Sequence, residues 1–319
     1  MRRFPNFRPQ GVIPATLLAL NEDFSIDEKA SRKHLRDCAV PGVTAITVNG
    51  HASEVHACTF EEQRRIADFS VDELGDKVPV ICGVYADGSH EAARIAAMSD
   101  KAGASALLVF PPNSMQMGGH LRPEMAIEHF SRIADATDLP IILFQYPMTS
   151  GLGYPFETLL RLFAEVPSIK AMKDWSNDAM LHEKHIRTFQ NLPKPVDVLT
   201  THSSWLMASL TMGANGLLSG SGSVIPDLQV ELFKAVKAGD LPRAQAVNDR
   251  IYPLAQTFYA APFLDMHNRM KEALVLLGRL DRAVVRPPLM KLSPAEIRRL
   301  TDVLADSGLG VEGALRAAE

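Results

Sequence analysis

The apolar residues of this chain fall into short continuous runs, separated by longer stretches with helical spacing. Residues 11–20 form the first run, and a polar turn follows it before a helix start at Ser25-Ile26-Asp27-Glu28. Residues 43–48 are β-branched and read as a strand. Thr59, with Glu62 three positions on, forms a capping box and predicts a helix to about Leu74. Strands are then expected at 78–84, 106–110, 141–146, 168–175, 196–199 and 216–219. Helices are expected at 89–102, 122–136, 156–164, 180–189, 205–212 and 226–236, with Gly103 stopping the first of these and Pro147 ending the strand before the third.

The strands are apolar throughout rather than alternating. That is the signature of a parallel sheet covered on both faces. Eight strand-then-helix units over about 230 residues predict an α/β fold, a (β/α)8 TIM barrel spanning residues 10–238. The rival, a doubly wound open sheet, would carry a glycine-rich phosphate loop after its first strand, and this chain has none there. Residues 239–319 lack strand patterning. They read as helices at 244–261, 263–277 and 293–304, a C-terminal helical extension packed on the barrel.

Composition narrows the function classes. The 319 residues are 46% hydrophobic and carry a net charge of −4, which gives no electrostatic footprint for nucleic acid. No apolar run reaches the ~18 residues of a membrane span, and the basic start lacks the apolar stretch of a signal peptide. Cys38, Cys58 and Cys82 are widely spaced and odd in number, as expected for reduced thiols. A cytoplasmic protein is expected.

The sixth strand carries the most unusual feature. In Ser168-Ile169-Lys170-Ala171-Met172-Lys173-Asp174-Trp175, alternation puts Ile169, Ala171 and Lys173 on one face. A lysine at the last inward position of a buried strand tends to lose its proton, and the neutral amine is a nucleophile suited to imine formation with a carbonyl. The same spacing also allows Lys173 to snorkel to solvent or pair with Asp174. Active sites of such barrels lie at the C-terminal strand ends. The polar groups there are His51, Glu54 and His56 after strand two, Tyr85 near the end of strand three, Asn113 and Ser114 after strand four, Tyr146 after strand five, Thr201 and His202 after strand seven, and Ser219 through Ser223 after strand eight. Gly220-Ser221-Gly222-Ser223 before a helix reads as a flexible loop or a weak anion site.

The order of motifs resembles the family of dihydrodipicolinate synthase and N-acetylneuraminate lyase, class I pyruvate aldolases and lyases. The resemblance runs from Gly11 to about Leu309. It rests on Gly50-x-x-x-Glu54, Pro147 with Gly151, Ile-Lys-Ala-Met-Lys-Asp around Lys173, residues 213–220 and Val285-Arg286-Pro287-Pro288-Leu289. It implies that Lys173 forms the Schiff base and that the substrate is a 2-oxo acid such as pyruvate or a sugar-acid derivative. It also implies that no cofactor is needed beyond the covalent lysine imine, and that the assembly is a homotetramer, a dimer of dimers. Gly50, Ala52, Ser53, Phe144, Trp175 and Leu218 fall on or beside substrate-binding positions, and Glu54 matches a structural glutamate.

Several positions depart from the family pattern. His51 and Ala52 stand where two small hydroxyl residues hold the keto acid carboxylate, and Ser53 stands where glycine is usual. Phe144 replaces the proton-shuttling tyrosine. Thr149 replaces the arginine that dihydrodipicolinate synthases use for the second substrate, and Pro112-Asn113 replace the tyrosine reaching across a subunit interface. Threonine cannot reproduce the guanidinium fork, so a true dihydrodipicolinate synthase is not expected. Tyr146, two residues past Phe144, is the first candidate for the missing proton shuttle, with packing and substrate orientation as its other role. His51 is the second candidate, for acid–base work or carboxylate binding, against a solvated loop histidine.

A lyase of aldolase, dehydratase or deaminase type follows from these residues. Two alternatives remain at this level. One is a non-catalytic keto-acid or sugar-acid binding barrel that lost its tyrosine. The other is a metal-dependent aldolase using His51, Glu54 and His56, although no metal site is expected from the spacing.

Overall fold

The computed structural model describes residues 4–310. Eight strands form one all-parallel sheet: β1 (Gly11–Pro14), β2 (Ile46–Val48), β3 (Val80–Val84), β4 (Ala106–Val109), β5 (Ile141–Gln145), β6 (Ile169–Asp174), β7 (Asp197–Thr200) and β8 (Gly216–Ser219). The spatial order is β1-β8-β7-β6-β5-β4-β3-β2. Bridges Val12 to Val43 and Ala15 to Thr47 join β1 to the β2 segment and bring the two ends of the sheet together. The helices between strands are α1 (Glu28–Cys38), α2 (Phe60–Leu74), α3 (Ser89–Ala102), α4 (Pro123–Ala136), α5 (Phe156–Glu165), α6 (Ala179–Phe189) and α7 (Leu206–Thr211), and α8 (Pro226–Lys237) follows β8. The TIM barrel read from the strand–helix alternation is the observed fold.

Local rules explain the element ends. Thr59 Oγ accepts from the Glu62 amide and the Glu62 carboxylate accepts from the Thr59 amide, completing the capping box. Gly103 ends α3 at φ +97°, a left-handed conformation that suits glycine. Several expected strands are shorter than the apolar runs suggest, β2 and β5 among them. The β2 ladder begins only at Ile46, because Thr44 turns its amide and hydroxyl to the Val12 and Gln10 carbonyls of β1 and its approach. Strand β5 stops at Gln145, one residue before Tyr146, where the Trp175 amide takes the last carbonyl and Pro147 has no amide to give.

Beyond the barrel lie α9 (Leu241–Phe258), α10 (Met266–Leu276) and α11 (Pro294–Asp306). Helix α9 starts earlier than the sequence pattern suggests, because Asp240 caps the Arg243 amide. Residues 263–265 form a short 3-10 turn rather than the first turn of α10. Residues 311–319 of the expected extension lie outside the described residues.

This extension is tied to the loop after β2 by charge. Lys271 of α10 is buried against Glu54, with side chains 1% and 2% exposed, and also donates to the Val284 carbonyl. The second Glu54 oxygen accepts from the Arg286 amide. The Arg286 guanidinium reaches Glu62 and the Phe24 and Ala57 carbonyls. Breaking a buried pair strands the remaining charge, so Lys271→Met should cost about 3–5 kcal/mol. Adding Glu54→Gln to that variant should recover much of the loss; denaturant unfolding of the two variants checks it, and equal losses would contradict the pairing.

Candidate active site

Lys173 sits on β6 in register with Phe144 of β5 and Leu199 of β7. Its residue is 5% exposed. Successive strand residues point oppositely, so Asp174 turns away toward the helix layer. There its carboxylate accepts from His182 Nδ1 at 2.8 Å, His185 Nδ1 at 2.7 Å and the Ser176 amide at 2.7 Å. Pairing between Lys173 and Asp174 is thereby excluded. Among the described residues Lys173 Nζ has no hydrogen-bond or ion-pair partner. It lies 4.0 Å from the centre of the Phe144 ring. Burial without a counter-ion lowers its pKa to about 7.

The amine opens into a cavity of about 210 Å³ at the C-terminal ends of the strands. Six of the expected site residues line it: His51, Ala52, Phe144, Tyr146, Lys173 and Trp175. Three do not. Gly50 and Ser53 are locked to each other, the Ser53 hydroxyl accepting from the Gly50 amide at 2.8 Å and donating to its carbonyl at 3.1 Å. Ser53 therefore cannot offer its hydroxyl to a carboxylate. Leu218 is fully buried in the barrel wall, in register with Ile13.

The loop carrying His51 is placed by a close approach. A Cβ on Gly83 would lie 1.8 Å from the Asn49 carbonyl oxygen, so only glycine lets the chain after β2 fold over β3. Asn49 itself has φ +51° and donates from its side chain to the Gln63 carbonyl at 2.8 Å. The turn leaves the amides of His51 and Ala52 without an acceptor among the described residues, while the next two amides bond back to Gly50 and His51.

His51 packs against two more imidazoles, His267 at 5.1 Å and His56 at 6.2 Å between ring centres. Burial, followed by His267 and Lys173, holds its pKa well below the usual imidazole range. It is a neutral imidazole at pH 7, with one N–H and one lone pair. Tyr146 packs at a tilt on Phe144 at 4.6 Å and meets the edge of Trp175 at 5.2 Å. Burial and the neighbouring Tyr85 push its phenol pKa upward, away from a proton-transfer range.

Two candidate metal constellations have other work. Both Glu54 oxygens are held by Lys271 and the Arg286 amide, which removes the carboxylate from any set with His51 and His56. Asp174, His182 and His202 bring donor atoms within 4.8 Å of one another. Each of those donors is already paired: His182 Nε2 with Ser209 Oγ, His202 Nδ1 with Thr200 Oγ, and His202 Nε2 with the Asn177 amide. The cluster is a hydrogen-bonded brace behind the lysine.

The cavity also takes residues outside the expected set. Tyr259, Phe263 and Met266 come from the C-terminal extension, and Ser203, Ser204 and Trp205 follow β7. Thr201 and His202 are visible in the sequence as strand-end polar groups. The extension residues carry no local signal, since nothing in their own spacing points to a site some ninety positions away from Lys173 in the chain.

The profile of the dihydrodipicolinate synthetase family matches residues 8–306. The chain belongs to that family. Among curated relatives, the 4-hydroxy-tetrahydrodipicolinate synthase of Methanopyrus kandleri is 29% identical over 96% of this chain and 99% of the relative. An uncharacterised DapA-like lyase of Halobacterium salinarum is 31% identical over 94% of each chain. Among solved structures, the Escherichia coli K12 prophage protein YagE, a family member determined with pyruvate, has a TM-score of 0.87 at 25% identity over 95% of this chain and 99% of that one. Dihydrodipicolinate synthase of Aquifex aeolicus has a TM-score of 0.84 at 25% identity over the same shares. Membership in this family assigns the chain to a lyase fold. Among the described residues no helix is long and apolar enough to cross a membrane.

The lysine environment makes a pH-dependent stability prediction. The folded pKa of about 7 lies below the usual value near ~10.4, so the unfolded chain binds the extra proton between those limits. Folded stability therefore falls as pH drops from ~10.4 toward ~7 and is flat with respect to this group below that. Lys173→Met should stabilise the fold by roughly 5 kcal/mol at most below pH 7, with the gain vanishing above pH ~10.5. Denaturant titrations of both proteins across that range check it; a gain independent of pH would contradict the buried, unpaired amine.

Proposed function

We propose that this chain is a Schiff-base lyase acting on a 2-oxo acid. The observation that carries the reading is the unpaired Lys173 amine, held close to neutrality by burial and facing the cavity. The amine adds to the C2 carbonyl, water leaves, and the resulting iminium accepts electrons from a bond at C3 or C4. The open amides of His51 and Ala52 cradle the carboxylate, in the place where the family uses hydroxyl side chains. His51 moves the proton. Its imidazole lines the same cavity as Lys173 and carries both a ring N–H and a lone pair.

Thr149 is exposed, and among the described residues the cavity lining includes no arginine, so a second substrate's carboxylate lacks its guanidinium fork. These features support carbon–carbon or carbon–oxygen bond cleavage over dihydrodipicolinate synthesis. The chain works without a resident cofactor, in the cytoplasm, as a homotetramer. The solvent-exposed Met117, Leu121 and Met125 near the mouth support assembly through that face.

Borohydride reduction in the presence of pyruvate should leave one covalent adduct, located by mass spectrometry on the Lys173 peptide. Absence of adduct with a panel of 2-oxo acids would sink the reading. His51→Gln should keep the adduct while turnover falls on the order of 10²–10⁴-fold, the usual worth of a positioned acid–base group; loss of trapping together with turnover would give His51 a binding role instead. Light scattering should return four chains per particle, and a monomer mass would refute the assembly.

A further inference from the structure

We infer that the distal half of the cavity selects a flat aryl substituent, so that the substrate is an aryl-bearing 4-hydroxy-2-oxo acid or its dehydrated form. This rests on the imine reading above and extends it to the part of the substrate that the lysine does not touch.

Five rings form one unbroken wall outward from the amine. Phe144 lies under Lys173 Nζ and packs at a tilt against Tyr146. Tyr146 meets the edge of Trp175 at 5.2 Å, Trp175 stacks on Phe263 at 5.0 Å and 20°, and Phe263 stacks on Tyr259 at 5.7 Å and 23°. All five line the same cavity. The first three come from the ends of β5 and β6, and the last two from the C-terminal extension. Ring separations of 4.5–7 Å are those of favourable aromatic pairs, and a further ring can join such a wall at the same spacing. Trp205, stacked on His202 at 4.1 Å, adds another aromatic face to the cavity.

The polar content of the lining argues in the same direction. Lys173 is its one cation among the described residues, and it carries no aspartate or glutamate. His202 has both ring nitrogens engaged, and the Ser203 hydroxyl pairs with Ser219. The Tyr259 hydroxyl accepts from the Ser221 amide. Asn177, Thr201 and Ser204 offer the polar side chains left for substrate hydroxyls, whereas a second carboxylate would have no counter-charge beside the ring wall. An aryl group avoids that cost and adds to the ring contacts.

The chemistry balances with water alone; the dehydrated form first takes hydroxide at C4 and a proton at C3 of its iminium, which gives the 4-hydroxy iminium. The Lys173 amine and the C2 ketone form the iminium with loss of water. The C3–C4 bond breaks, its electron pair passing to the C2–C3 enamine, while the 4-hydroxyl proton goes to His51 and the aryl aldehyde leaves. The enamine takes a proton at C3, and water at C2 releases pyruvate and the free amine.

The test compares kcat/KM for the 4-phenyl, 4-methyl and 4-carboxylate forms of 4-hydroxy-2-oxobutanoate on the full chain. The phenyl compound is expected to exceed both others by at least a hundredfold. Phe263→Leu and Trp175→Leu, checked for unchanged melting, should each lower the phenyl-to-methyl ratio at least tenfold. A preference for the carboxylate form, or a ratio unmoved in both variants, overturns the inference. A second arm is independent of the imine: calorimetric binding of 4-phenylbutanoate against pentanoate to Lys173→Met. Tighter binding of the phenyl ligand by at least tenfold supports the aryl site even if no adduct forms with the parent chain, an outcome that would instead remove the lyase reading. Equal affinities overturn the aryl site and leave the lyase reading standing.

Discussion

The site depends on keeping one ammonium from finding a partner. A lysine amine that is to attack a carbonyl near neutral pH must be buried enough to lose its proton, and every carboxylate within reach would reverse that effect. The chain solves this on a single strand. Lys173 faces the barrel interior above the Phe144 ring, and the adjacent Asp174 faces outward, where two imidazoles and a backbone amide absorb its charge. Glu54, a second carboxylate near the mouth, is neutralised by Lys271. The low pKa of Lys173 is thus a property of how the other charges are arranged, not of the lysine alone.

The same arrangement explains why the C-terminal helices belong to the active site. The Lys271–Glu54 pair and the Arg286 contacts clamp α10 and the segment before α11 onto the loop after β2. That clamp sets His267 beside His51, where the His267 Nδ1–H donates to the Ala52 carbonyl at 3.4 Å. It also brings Phe263 and Tyr259 to Trp175. A structural ion pair therefore fixes both the loop that faces the substrate's carboxylate and the wall that faces its far end.

Much of this was legible in the chain. Continuous apolar runs alternating with helical patterns define the barrel because each strand is covered on both faces, whereas the pairing of Lys173 with Asp174 that the spacing left open is excluded only by the imidazoles and amide that hold Asp174. The capping box at Thr59 is local and is found where expected. What the chain hides is long-range. Ser53 has the composition of a ligand residue, but its hydroxyl closes a tight turn on Gly50. Leu218 sits at a strand end yet faces the packed wall, because register, not residue type, decides which side chains see the cavity. Tyr259 and Phe263 enter the site only through the docking of the extension, which depends on pairs more than two hundred positions apart in the chain.

The central claim, that burial without a counter-ion neutralises Lys173, is tested most directly by titrating that one amine. Selective ¹³C labelling of the lysine side chains, with the Lys173 resonance assigned by its loss in Lys173→Met, gives its pKa by NMR. The account predicts a midpoint near 7. A midpoint near the ordinary lysine value of ~10.4 would show that the amine is solvated or paired, and would contradict the account at its base.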